Sequence, residues 1–198
     1  DGKFIGKAPS CLNGHLIIRG EGFAEKKEEL STNKGNAVDI VLDREYDVNL
    51  NLEVGGKPLQ GTAIVSFVND VGKGVSASLP DVKSLRLSEG HYNVKVYVYG
   101  DSSITIPASK KTQCQEVPRS GLFGLFGVTR EECFDINIPD TKIDFALRGG
   151  GKGEVYLLES QIEDGELKVK VDEFKSPLSL EELQYNYAIF ESSGVDAE

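Results

Sequence analysis

Nucleophilic and metal chemistry depend on few side-chain types, and this 198-residue chain holds three cysteines and two histidines. A structural zinc site needs about four nitrogen or sulfur ligands at suitable spacing, with C-x-x-C pairs as the usual mark. Cys11, Cys114, Cys133, His15 and His91 do not offer that pattern. Nucleophilic catalysis needs a base beside the nucleophile. His91 sits in a Glu89-Gly90 turn and His15 beside a predicted strand, and no spacing ties either to a cysteine. The expectation is therefore a non-enzymatic protein without metal or cofactor. Cys114 and Cys133 bracket one loop and are natural disulfide partners. Closing a loop of that length contributes roughly 3 kcal/mol in the chain-entropy model. A bridge requires an oxidising compartment, and the alternative is two buried thiols in a cytosolic protein. Cys11 is left over, either buried or paired outside this segment.

Inside the Cys114–Cys133 loop, Gly121-Leu122-Phe123-Gly124-Leu125-Phe126-Gly127-Val128 interleaves large apolar residues with glycines. Three readings fit it: a plug folded onto the core, a docking patch for protein through Leu122, Phe123, Leu125 and Phe126, or a tip that enters lipid. Tyr97 and Tyr99 point away from the core face of their predicted strand. They form an aromatic face that could stack on a sugar or peptide, or lie under the N-terminal strands. Asp43, Glu45 and Asp47 share one face of an extended segment, which suits calcium or, more simply, solvent. Gly149-Gly150-Gly151-Lys152-Gly153 lacks the spacing and the Ser or Thr of a phosphate loop, and reads as a flexible turn.

The formal net charge is −10. That acidity repels nucleic-acid backbones and anionic headgroups, which argues against nucleic-acid binding. No run approaches the roughly 18 apolar residues of a membrane helix. Methionine is absent, so the chain reads as a mature segment or fragment whose targeting or anchoring sequences lie elsewhere.

Alternation of apolar and polar residues dominates. Tyr46, Val48, Leu50, Leu52 and Val54 share one face of a strand that Gly55-Gly56 ends. Thr62–Val68, Val75–Leu79, Leu85–Leu87, Tyr92–Val98 and Ile104–Ile106 follow as strands, with His15–Arg19 and Val38–Leu42 ahead of them. Ala24–Leu30 fits a short helix or a solvated loop. After a boundary near Ala108–Gln113 come strands at Phe134–Ile138, Ile143–Leu147, Val155–Leu158 and Leu167–Val171. Ser179 and Glu182 form a capping-box pattern before Leu180, Leu183, Tyr187 and Phe190, one apolar face of a helix that Gly194 stops. The pattern predicts a mainly β protein in two units. Residues 1–108 would be a β-sandwich with N-terminal strands, and residues 109–198 a smaller α+β unit with a C-terminal amphipathic helix.

Two stretches carry a family likeness. Asn51–Ala63 holds a strand, a G-x-P-L-x-G turn and the next strand, and Leu85–Val96 holds an L-x-x-G-x-Y-x-V-x-V hairpin. On these, Tyr46–Ile106 resembles the transthyretin-like sandwich modules of surface proteins, including carboxypeptidase regulatory-like, collagen-adhesin B-type and PEGA-type domains. The resemblance implies a scaffold, spacer or adhesion module without catalysis. Some adhesin-type members form Lys–Asn isopeptide bonds. Asn49, Asn51 and Glu53 stand where a lysine would be required, so that crosslink is not carried over. The Cys114–Cys133 loop, Gly149–Lys152 and Ser179–Tyr187 resemble pieces of archaeal surface proteins of no known activity. The sequence thus points to an extracellular or cell-envelope segment of a larger anchored protein. It would act through protein or cell-surface contacts, or alternatively on membranes through loop 121–128.

Overall fold

The computed structural model describes residues 3, 5–33, 37–118 and 129–198. They fold mainly into strands, most of which follow from alternation in the sequence. At the N-terminus β1 (Gly14–Ile18) pairs antiparallel with β2 (Lys26–Leu30) in a sheet of their own. The charged stretch Ala24–Leu30 is thus largely a strand, because β1 offers its backbone a partner. Val38–Leu42 forms no strand. No neighbouring strand pairs with it, and the Val41 carbonyl accepts instead from Lys26 Nζ at 2.7 Å.

The rest follows in the order β3 (Tyr46–Val54), β4 (Lys57–Pro58), β5 (Thr62–Asn69), β6 (Gly74–Leu79), β7 (Ser84–Leu87), β8 (Gly90–Ile106), β9 (Ser109–Pro118), β10 (Thr129–Ile138), β11 (Thr141–Leu157), α1 (Glu159–Ile162), β12 (Glu166–Glu173), α2 (Leu180–Phe190) and β13 (Val195–Ala197). Gly55 and Gly56 both take positive φ, 57° and 76°, as a tight hairpin between β3 and β4 demands.

One sheet runs in the order β4-β3-β12-β11-β8-β5-β6, with β13 added beside β12 and β7 beside β3. β12 lies parallel to β3, from Glu166↔Asn49 to Val171↔Val54. β11 pairs with β8 from Thr141↔Ile106 to Leu157↔Gly90. β11 meets β12, by contrast, only at Gly149↔Glu173 and Gly150↔Asp172. The sheet curls over at that short contact. Its two limbs enclose one core, with Val48, Leu50 and Leu167 from one side and Val65, Phe67, Val94 and Val96 from the other. Each such side chain contributes about 1.5–3 kcal/mol on burial. Strands from before and after residue 108 therefore share hydrogen bonds and core. The expected separation into 1–108 and 109–198 is not how the strands pair.

Gly149–Gly151 is strand interior rather than the expected flexible turn, and the reason is space. A Cβ on Gly149 would stand 2.8 Å from the Asp172 carbonyl oxygen. On Gly150, whose φ is +131°, it would run into the Val96 carbonyl. On Gly151 it would strike the Gly194 carbonyl and lie 2.9 Å from that of Ser193. Three neighbouring backbones press on these residues from different sides, and only glycine admits them.

α2 covers the outer face of β8 and β11. Ser179 caps it, accepting from the Glu182 N–H at 3.3 Å, and Glu182 reaches back to the Leu178 N–H at 2.7 Å. The Leu178 N–H, then Lys175, holds the Glu182 carboxyl below the usual carboxylate range. Its favourable contribution is therefore present above the ordinary carboxylate pKa and lost as pH falls through the lowered one. The buried face differs from the expected Leu180–Leu183–Tyr187–Phe190 line. Phe190 and Asn186 are buried, Leu183 is half-buried, and Leu180 and Tyr187 are exposed. Asn186 Nδ2 donates to the carbonyls of Leu147 at 2.7 Å and Lys175 at 2.9 Å, which satisfies its burial. Phe190 stacks on Tyr97 with centroids 4.4 Å apart. Leu147, Phe174 and Phe190 form this second cluster, with Tyr97, Tyr99, Leu183 and Ile189 against it.

Gly150→Ala combines a forbidden φ with a backbone clash and should lower stability by about 2–5 kcal/mol. Gly153→Ala meets nothing closer than 3.6 Å and should change stability by less than about 1 kcal/mol. Urea unfolding followed by circular dichroism compares the two, and equal midpoints would contradict the crowding described here.

Candidate functional site

Two surfaces stand apart from the core. The first is a ribbon of β9 and β10, paired in register from Ser109↔Ile138 to Pro118↔Thr129. It continues the β8–β11 pair beyond Ile106↔Thr141. Pro107-Ala108 on one strand and Pro139-Asp140 on the other interrupt the ladder at the same level. Proline cannot donate a ladder bond, so both strands break there. None of the ribbon's described side chains is buried.

Residues directly opposite in an antiparallel pair share a face. Cys114 and Cys133 are directly opposite and joined by a disulfide. Thr112 Oγ1 donates to Asp135 at 2.7 Å on that face. Phe134, Ile136 and Ile138 line the other face, 47%, 43% and 41% exposed. Leu122, Phe123, Leu125 and Phe126 lie outside the described residues. The sequence marked Phe134–Ile138 as a strand but did not single out this stripe, because alternation alone does not say whether a strand has anything packed on it.

The second surface is a depression of about 270 Å³ whose lining includes Gln60, Thr62, Tyr99, Asp101, Phe145 and Arg148. A smaller one beside it, about 90 Å³, shares Gln60 and Arg148 and adds Lys57 and Glu173. Two register shifts in the β8–β11 ladder frame the larger depression. Ser102 and Ser103 stand against Asp144 alone, and Arg148 has no partner between Leu147↔Tyr99 and Gly149↔Val98. The two slips cancel, so only the rows Phe145↔Asp101, Ala146↔Gly100 and Leu147↔Tyr99 are displaced. Bulges of this kind re-aim side chains. The Arg148 side chain lies where a Cβ on Gly100 would be, and its Nη2 is 3.7 Å from Glu173 Oε1.

The remaining candidates disperse. Tyr97 is covered by Phe190 of α2, not by the N-terminal strands. Tyr99 packs on the same cluster while its edge reaches the depression. Burial pushes its phenol up, as do the nearby Tyr187 and Tyr97. Glu45 pairs with Lys73 and Asp47 with Arg86, at 3.3 and 3.1 Å. His15 is exposed, and exposed His91 meets Tyr156 edge-on at 4.7 Å. Cys11 is a free, exposed thiol. Among the described residues, Glu131 is grouped with Cys114 and Cys133, whose sulfurs are joined to each other and are not thiolate ligands.

Comparison with protein-family models, curated proteins and solved structures gives no match.

Reducing Cys114–Cys133 should act on the ribbon and leave the core alone. Amide exchange in 109–118 and 129–138 should speed up at least tenfold, with residues 92–98 unchanged. Hydrogen-exchange mass spectrometry in oxidised and reduced protein reads both, and uniform acceleration across the chain would refute the separation.

Proposed function

We propose that this chain is a non-enzymatic contact module of a cell exterior, built as a β body that presents a disulfide-stapled ribbon to a protein or cell-surface partner. The observation that carries this reading is the ribbon. It holds an apolar stripe, Phe134–Ile136–Ile138, outside both cores. A soluble protein rarely exposes aligned apolar side chains without use. The disulfide favours an oxidising compartment. The likeness of Tyr46–Ile106 to transthyretin-like sandwich modules, and the two inward-facing limbs of the curled sheet, support the same scaffold role.

Beads coated with the protein should adhere to whole cells of the source organism. Phe134→Asp with Ile136→Asp should cut adhesion at least tenfold with an unchanged circular-dichroism spectrum. Equal adhesion of the double variant, or none by the parent, removes this reading.

A second reading rests on the segment that joins the ribbon strands, where Leu122, Phe123, Leu125 and Phe126 alternate with glycines. It makes the ribbon a membrane-touching arm, with each inserted side chain contributing about 1.5–3 kcal/mol. Flotation with zwitterionic liposomes tests it. Leu122→Asp with Phe126→Asp should abolish flotation, and unchanged flotation disposes of the idea.

A further inference from the structure

The displaced rows of the β8–β11 ladder gather several side chains with few or no partners in the fold. Phe145 is 61% exposed although it lies in a long central strand. Its row partner Asp101 is exposed too, and opposite residues share a face. Among the described residues, no hydrogen bond or ion pair engages the side chains of Asp101 or Gln60. Arg148 has one distant carboxylate for its five N–H donors. Thr62 enters from β5, whose Thr62↔Tyr99 row borders the same three rows. Gly61 holds φ +109° with its missing Cβ 2.8 Å from the Tyr99 carbonyl, so the chain can turn close beneath them.

The two compensating slips make this more than a chance hollow. Without them the ladder would run in one register from Thr141 to Leu157. With them, Tyr99, Gly100, Asp101 and Phe145 shift together, and Arg148 is left over beside them. Those five are the residues that β8 and β11 give to the depression. Paired irregularities that retain the outer register and change only the inner rows are a means of aiming side chains.

We propose that this depression binds one sugar unit of a glycan. An exposed aromatic ring offers a flat apolar surface to the C–H face of a pyranose. The same depression carries an acceptor (Asp101) and two groups that do both, Gln60 and Thr62, while the Arg148 donor fork, laid over Gly100 on the other face of the ladder, reaches its rim. Sugar hydroxyls donate and accept at once, so they satisfy a mixed set of this kind. A phosphate would face the Asp101 carboxylate, and an apolar ligand would leave the polar groups without partners. The volume, about 270 Å³, falls just below the range of small-molecule sites, which leaves room for no more than a single ring held at an open surface. The site is separate from the ribbon, so it stands or falls independently of the contact reading given above.

The test is titration of the isotopically labelled protein with glucose, galactose, mannose and N-acetylglucosamine, followed by amide chemical shifts. At least one sugar should move the signals of Thr62, Gly100, Asp101 and Arg148 in a saturable way. Phe145→Ala and Asp101→Ala should each weaken that sugar at least tenfold, about 1.4 kcal/mol, with the rest of the spectrum in place. Both residues are exposed, so neither change threatens the fold. Absence of saturable shifts with all four sugars overturns the proposal. So do shifts confined to other residues, or binding that survives both substitutions.

Discussion

Three stretches of backbone converge on Gly149–Gly151, and none leaves room for a β-carbon. Val96 of β8, Asp172 of β12 and the Ser193-Gly194 turn each present a carbonyl to that run. The consequence reaches both layers of the protein. On the inner side the short contact lets β12 pass from β11 to its long parallel pairing with β3, which closes the curled sheet. On the outer side the same bare strand lets the chain after α2 come down close enough for Lys152 N–H to donate to Ser193 O at 3.0 Å. Phe190 can then lie on Tyr97, and β13 can reach β12.

The unpartnered Arg148 works beside this run. Its extra residue inverts the in-and-out order of β11, so that Leu147 joins the helix-side cluster while Gly149 faces Val54 and Val98. Its carbonyl accepts from the Phe174 N–H at 2.8 Å, which ties the end of β12 to the bulge. One irregularity therefore serves two apolar clusters. It also lays the Arg148 side chain over Gly100, within the displaced rows. Packing requirements and surface chemistry meet in the same four or five residues.

Much of the β architecture was legible from alternation, because a half-buried strand must alternate whichever strand it pairs with. Tyr46–Val54 and Tyr92–Val98 bury the side chains their spacing predicts. The Cys114–Cys133 bridge was legible from the loop the two residues bracket. Pairing between distant segments was not, since period two is silent about partners, and the parallel β3–β12 match joins residues that the expected boundary kept apart. Ala24–Leu30 was ambiguous because strand character there depends on β1. The buried Asn186 was missed because a polar residue on a helix looks solvated until its carbonyl partners are known. Arg148 and Asp101 were missed for a related reason. The apolar series Ile143, Phe145, Leu147 reads as one continuous face, and a slip within it leaves no trace in the sequence except the glycines that follow.

The parallel match between β3 and β12 also constrains how the chain acquires its shape. Its two members stand more than a hundred positions apart, with the ribbon and the longest hairpin between them. Contacts of such separation incur loop-closure entropy before they return any favourable interaction, so topologies rich in them reach the native state slowly. Until β12 docks, β3 shows an open edge and one uncovered apolar flank, the arrangement most prone to wrong pairing with a neighbouring molecule. A nascent copy emerging from a ribosome would hold β3 in that condition throughout the synthesis of everything up to Glu173.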